Sequence, residues 1–311
     1  MFVVCGEALM DVYAGAPTSG GLRLDARLGG SPYNVAVGLA RLGRPVAFLG
    51  GISTDAFGER LMRALVEEGV DTALVRRSAA PTTLSVVSLD AQGVPQYAFH
   101  GEGAADRDLP VADLPALPAG ATALHFGSYA MAVEPVGTAL RTLAARERGR
   151  RLVAYDPNVR LNVHPGLARW QAVVEEMAGL AHLVKVSAED LALLCPGEAP
   201  EAVVQRWLAR GVRLAVVTQG GAGCRAWTRA VQVAVPAPAV TVVDTVGAGD
   251  AFQAALLAWL DEQGLLAPEA LEALEAARLK AALRLATQAA GLACARRGAD
   301  LPRRDELPGA A

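Results

Sequence analysis

The arrangement in this sequence best suited to chemistry is an aspartate set just inside a helix, directly after a glycine-containing turn. Asp244-Thr245-Val246-Gly247-Ala248-Gly249-Asp250-Ala251-Phe252 follows the β-branched run Val240–Val243, which reads as a strand, and leads into a series of good helix formers. Gly247 and Gly249 let backbone N–H groups converge on one point. The free donors and positive dipole end of a helix N-terminus make that point an anion site. Asp250 puts a carboxylate beside it, which suits a group that takes a hydroxyl proton during phosphoryl transfer better than a simple phosphate cradle. A plain helix start with an acidic first turn explains the same residues, so this segment alone leaves both readings open.

A second segment, Leu28-Gly29-Gly30-Ser31-Pro32-Tyr33-Asn34, opens a helix with Pro in its first turn and Ser31 placed as an N-cap. Its glycines admit a ligand close to the backbone, and Asn34 carries both donors and acceptors for a polyol. A bare strand–turn–helix joint is the plainer alternative. Asp11 is either an exposed loop carboxylate or a bidentate acceptor for two sugar hydroxyls. Other phosphate-binding chemistries are excluded more firmly. The only lysines are Lys185 and Lys280, and neither follows a Gly-rich turn as a Walker A loop requires. No HRD or DFG element of a protein kinase is present. Gly247–Phe252 and Gly221–Ala226 approach a dinucleotide fingerprint. The first, however, ends on a bulky Phe, and the second runs into a strand-like segment, Cys224–Thr228.

These residues need a frame, and the hydrophobic pattern supplies one. Short β-rich runs (Phe2–Cys5, Val46–Gly50, Ala123–Phe126, Leu152–Tyr155, Leu183–Val186, Leu214–Thr218) alternate with helical patterns near 32–42, 56–68, 136–148, 167–178 and 201–210. Two helices, near 248–263 and 268–295, close the chain. That rhythm predicts an α/β fold with a mostly parallel central sheet covered by helices on both faces. Gly21–Leu28 and Thr82–Phe99 interrupt it as strands without helices, the second with a hairpin-like turn at Asp90-Ala91-Gln92-Gly93. The expectation is one domain over residues 1–311 with lid strands inserted at about 12–29 and 82–108, forming a small sheet over the cleft.

With 311 residues, 52% of them hydrophobic, the chain has ample material for a deep core. Lys and Arg total 29 against 32 Asp and Glu, a net charge of −3 that gives no broad basic field for nucleic acid. Cys5, Cys195, Cys224 and Cys294 are far apart, with no CxxC pair, so free thiols are expected rather than zinc or a disulfide framework. No apolar stretch reaches the length of a membrane span, and the first residues do not have the pattern of a secretory signal. A cytoplasmic protein without a membrane partner is the expectation.

Together, Gly29-Gly30-Ser31-Pro32-Tyr33-Asn34 and Asp244–Phe252 resemble the paired signatures of the ribokinase-like (PfkB-type) carbohydrate kinases, in order and at the expected separation. The resemblance extends through Gly6–Asp11, Asp156-Pro157-Asn158-Val159-Arg160, Lys185–Asp190, Val217–Gly223 and Arg296–Ala299, which is essentially the whole chain. Within the family the pattern is most similar to bacterial fructokinases. Relatives that phosphorylate 2-keto-3-deoxygluconate, or another sugar or nucleoside, are the alternatives.

The resemblance implies transfer of the ATP γ-phosphoryl group to a primary hydroxyl of a ketose, with Asp250 as base and Gly247, Ala248 and Gly249 as backbone anion hole. Asp11, Gly30, Asn34 and Arg160 should hold the sugar. Lys185, Ser187, Thr218, Gly220, Gly221, Gly223 and Gly298 should line the nucleotide. The family's Asn-x-x-Glu element, which organises Mg²⁺ through water, is replaced here by Ser187-Ala188-Glu189-Asp190, with Asp190 the first candidate and Glu189 the second. The Gly298-Ala299 region resembles one that binds a monovalent cation, K⁺, in some relatives. Tyr97, Phe99 and Arg107 belong to the lid region. The two rings either stack on the sugar or form the lid's own core, and an Arg107 aimed into the cleft would favour an acid sugar. Pairing of two lids in a homodimer would cover their exposed face, a monomer with a short polar edge being the alternative. A sugar- or nucleotide-binding regulator that lost the chemistry, and a dinucleotide-dependent oxidoreductase, are the rivals from other classes.

Overall fold

The computed structural model describes residues 1–89 and 95–308. The turn expected at Asp90–Gly93 lies outside the described residues. In chain order the elements are β1 (Phe2–Cys5), β2 (Leu9–Thr18), β3 (Gly21–Gly29), α1 (Ser31–Arg41), β4 (Val46–Ser53), α2 (Ala56–Glu67), β5 (Val75–Ser78), β6 (Leu84–Leu89), β7 (Pro95–His100), β8 (Ala123–Gly127), α3 (Val136–Glu147), β9 (Leu152–Asp156), α4 (Leu167–Ala178), β10 (Leu183–Ser187), α5 (Ala188–Leu194), α6 (Pro200–Ala209), β11 (Leu214–Thr218), β12 (Cys224–Trp227), β13 (Gln232–Val235), α7 (Ala248–Glu262), α8 (Pro268–Glu272) and α9 (Ala276–Cys294).

The described strands form two sheets. The larger has nine strands in the order β13-β12-β11-β10-β9-β8-β1-β4-β5, parallel except for β12 and β13 at one edge. Its central strands are largely apolar on both sides, as burial between helix layers demands, whereas the edge strands β5, β12 and β13 carry polar residues. Alternate residues of β1 feed different cores: Phe2 and Val4 pack with α1, α2, α7 and α9, whereas Val3 and Cys5 pack with α3, α4 and α6. This is the helix-covered, mostly parallel sheet anticipated from the sequence. The smaller sheet has four strands in the order β3-β2-β6-β7, with β2 and β6 parallel and the other pairs antiparallel.

Several elements differ from expectation. Val240–Val243 is irregular rather than a strand, with Val242 and Val243 about 60% exposed. Its β-branched residues have propensity but no neighbouring strand to pair with. The long C-terminal helix is broken into α8 and α9 around Ala273–Glu275. The small sheet starts earlier than residue 12, at Leu9, and its second part ends at His100. Residues 105–107 instead form a 3₁₀ turn that packs on β4, where Gly51 leaves room for the carbonyl of Ala105. No disulfide forms: Cys5 and Cys224 are buried thiols, and Cys195 and Cys294 are half-buried. No helix among the described residues is long and apolar enough to cross a membrane.

Candidate active site

A cleft of about 720 Å³ lies where the small sheet meets the C-terminal ends of β1, β8 and β9 and the start of α7. Ligand sites of open α/β sheets occur at such strand ends. From the small sheet it receives Leu9, Asp11 and Tyr13 of β2, Ser85 and Val87 of β6, and Phe99 of β7. The spacing of two along each strand puts these side chains on one face. From the main body come Glu7, Ser128, Tyr129, Asn158, Arg160 and Asn162. The turn Asp244–Gly247 with Gly249 and Asp250, together with Gly30, Ser31 and Asn34, completes the wall.

Asp250 sits in the first turn of α7, 6% exposed, where α7 meets α1. The turn before it depends on Gly247, at φ +79° and as the N-cap residue. A Cβ there would lie 2.8 Å from the Cα of Ala299. Both carboxylate oxygens of Asp250 are engaged from α1: the Ser31 hydroxyl donates to Oδ1 at 2.6 Å and the Asn34 amide Nδ2 to Oδ2 at 2.8 Å. Burial raises the Asp250 pKa, while the hydrogen bonds from Ser31 and Asn34 and the charge of Lys185 oppose the rise. Ser31 is therefore not the N-cap of α1 that its residue type suggests. Gly30 takes that position without a side-chain cap, leaving the hydroxyl for a partner 219 residues away.

Lys185, on β10, is buried and paired with Asp156 at the end of β9, Nζ to Oδ2 at 2.7 Å. Its ammonium also lies at the mouth of α7, since a Cβ on Gly249 would approach it to 3.0 Å. The other oxygen of Asp156, Oδ1, is buried without a hydrogen-bond partner among the described residues. Ser187 spends its hydroxyl on the α5 N-terminus, accepting from the backbone N–H of Asp190 at 3.0 Å. Asp190 is buried, with a pKa raised to about 6 by desolvation and then by Asp156. Glu189 points to solvent. Thr218 ends β11, and Gly220, Gly221 and Gly223 occupy the turn into β12.

At the far end of the cleft Asp11 is half-buried, its pKa raised to about 6 by desolvation against opposing effects of the Ser85 hydroxyl and Arg160. Arg160 is exposed and is the one cation among the described lining residues. Phe99 packs edge-on against Tyr129, ring centroids 5.2 Å apart. The guanidinium of Arg107 lies over these rings, 5.6 and 5.9 Å from their centroids, and does not line the cleft. Tyr97 falls on β7, and its side chain lies outside the described residues. Gly298 donates its N–H to Asp244 Oδ2 at 2.8 Å, and the carbonyl of Arg297 accepts from Arg27 Nη1 at 3.0 Å. A guanidinium from the small sheet thus already rests against the loop considered for a monovalent cation.

Sequence reasoning did not single out Ser31 for a role at Asp250, nor Asp156, Glu7, Ser128 or Asp244. Glu7, Asp156 and Asp244 lie within the segments that carry the family resemblance, and that is the signal by which the sequence could point to them. Glu7 is 1% exposed, its pKa raised to about 8 by burial and, more weakly, by Asp106. Its Oε2 accepts from the backbone N–H of Ala130 at 3.3 Å.

The sequence matches the profile of the pfkB family carbohydrate kinase over residues 1–306. It is 37% identical over 280 residues to a fructokinase of Rhizobium leguminosarum bv. trifolii, covering 90% of this chain and 86% of that one. The structure resembles a fructokinase with bound ATP from Xylella fastidiosa (TM-score 0.89, 29% identity, 98% and 96% of the two chains). It also resembles a fructokinase from Vibrio cholerae O395 in a form with fructose, ADP and calcium ion bound (TM-score 0.80, 29% identity, 96% and 94%).

Proposed function

This chain belongs to the pfkB family of carbohydrate kinases, an ATP-dependent sugar kinase by membership, and within that family we propose that it is a fructokinase, converting D-fructose to fructose 6-phosphate. The observation that carries the substrate reading is the charge of the cleft. Asp11, Asp244 and Asp250 line it as carboxylates, with Glu7 held largely protonated by its burial, and Arg160 is the one cation facing them among the described lining residues. An acid sugar such as 2-keto-3-deoxygluconate would bring its carboxylate into that field, and Arg107, the residue best suited to meet it, is stacked on Phe99 and Tyr129 instead. A neutral ketose has hydroxyls for these acceptors.

In this reading Asp11, Asn34 and Arg160 hold the sugar, Gly30 lets it approach the backbone, and Phe99 flanks it. Asp250 orients the primary hydroxyl and accepts its proton late, as the new O–P bond forms and the bond to the ADP oxygen breaks. The backbone N–H groups of Gly247, Ala248 and Gly249, the dipole of α7 and the ammonium of Lys185 face the charge that develops on the phosphoryl oxygens. Thr218, Gly220, Gly221 and Gly223, at neighbouring strand ends, carry the rest of the nucleotide. Asp156, with its unpartnered Oδ1, and buried Asp190 fit Mg²⁺ held through water, and Glu189 is set aside by its exposure. Bound there, the ion would neutralise phosphate charge.

On the face of the small sheet turned from the cleft, Val12, Ala26 and Val86 pack on the main core, while Leu24, farther along β3, is 59% exposed. Pairing with a second copy through this face is part of the proposal.

The test is a coupled ADP-release assay with Mg-ATP against D-fructose, D-ribose and 2-keto-3-deoxygluconate. The expected result is the highest kcat/KM for fructose. A preference for the keto acid would overturn the substrate assignment while leaving the kinase, and turnover of no sugar would favour a binding regulator.

A further inference from the structure

Asp250 is a carboxylate almost fully withdrawn from water, yet it must be ionised and correctly rotated to receive a proton. Its helix supplies neither property completely: the dipole of α7 favours charge but leaves the carboxylate plane undefined. The groups that fix the plane come from α1. Ser31 Oγ and Asn34 Nδ2 each take a different carboxylate oxygen, so rotation about the Cβ–Cγ bond breaks both hydrogen bonds at once. Asn34 has a second polar atom, its carbonyl oxygen, for a ligand. Ser31 has one hydrogen, and it is spent on Asp250.

Ser31 has no competing structural duty. It is the first residue of α1, one position inside the Gly30 N-cap, and the helix start has no side-chain cap hydrogen bond. The hydroxyl is buried, and among the described residues its hydrogen-bond partner is Asp250.

We propose that Ser31 is a positioning residue for the base: its hydroxyl fixes the Asp250 carboxylate in the orientation that receives the sugar proton, and holds it ionised. This rests on the kinase reading given above. The charged groups facing Asp250 are Lys185 on β10, which favours ionisation, and Asp156 on β9, which opposes it, as does Asp11 on β2 by mutual repulsion. Removing one short hydrogen bond to the ionised form therefore shifts the balance toward the protonated carboxyl.

The experiment compares wild type, Ser31→Ala and Ser31→Thr by the pH dependence of kcat and KM for the preferred sugar. In parallel, ¹³C-carboxyl NMR titrates the Asp250 side chain, assigned by loss of its signal in Asp250→Asn. Ser31→Ala should lower kcat roughly 10- to 100-fold, the range of a lost positioning contact, with KM for sugar changed less than about threefold. The acid limb of its pH profile and the Asp250 midpoint should both move to higher pH by about one unit, and Ser31→Thr should restore both. A rise in KM at constant kcat would make Ser31 a sugar contact and overturn the proposal. So would a kcat loss with the Asp250 midpoint unmoved. If the wild type phosphorylates no sugar, the kinase reading fails, while the NMR midpoint still decides whether Ser31 holds the carboxylate ionised.

Discussion

Replacing Lys185 by methionine tests how the proposed nucleotide side of the site is built. Lys185 Nζ and Asp156 Oδ2 are 2.7 Å apart, with side chains only 5% and 3% exposed. At an effective dielectric constant near 20, unit charges at that distance attract by about 6 kcal/mol, and much of this offsets the cost of removing both from water. Taking away the lysine leaves that cost for Asp156 without the attraction. Oδ1 has no partner already, so both oxygens would be orphaned. The expected loss of folding stability is about 3–5 kcal/mol. Lys185→Met/Asp156→Asn removes the stranded charge and should recover about 2 kcal/mol of it. Urea unfolding followed by the fluorescence of buried Trp170, Trp207 and Trp227 measures this directly. A loss below about 1 kcal/mol, or a double variant no more stable than the single, would refute the view that these two charges hold each other in the interior. Lys185 would then be free to serve the phosphates alone.

Glu7 gives a pH prediction of defined sign. Its folded pKa, about 8, stands above the ordinary 4.5. It therefore stabilises the fold most fully below pH 4.5, and that contribution is lost as pH rises toward 8. Glu7→Gln should flatten the decline in thermal stability between those values, and an unchanged slope would reject the assignment. For assembly, Leu24→Glu puts a charge on the apolar outer face of the small sheet. Sedimentation should find wild-type dimers and variant monomers, and identical masses would exclude this face as the contact.

The parts of this molecule that were legible in the sequence are those decided locally. The alternation of apolar strands with helical patterns reports burial between two helix layers, and it located most of the parallel strands to within a residue or two. The glycine turn before Asp250 was legible because positive φ and close backbone approach restrict the residue type at Gly247. The lost features are those in which tertiary partners override local preference. Strand β2 contains Gly15 and Pro17, poor strand formers, yet it pairs with β3 on one side and β6 on the other. Val240–Val243 has the opposite character, strong propensity without a partner, and stays irregular. Ser31 read as a cap because serine before a helix usually is one. Only the fold shows that its hydroxyl crosses to Asp250.

The cleft divides into two electrostatic regimes, and Asp250 stands at their border. On one side Asp11 and Asp244 present acceptor carboxylates, and Glu7, its pKa raised to about 8 by burial, adds a largely neutral carboxyl. Such a wall rewards hydroxyl donors and penalises anions. On the other side the N-terminus of α7 and the ammonium of Lys185 present donors and positive charge, which reward phosphate. A single acceptor carboxylate between them must resist protonation by its own burial, and that is why its support comes from groups that do not belong to its helix. Ser31 and Asn34 arrive from α1, Lys185 from β10, and the dipole from α7. Each element fixes one property of Asp250, its rotation, its charge or its place, and in the proposed reaction the sugar hydroxyl and the phosphoryl group would meet where those constraints intersect.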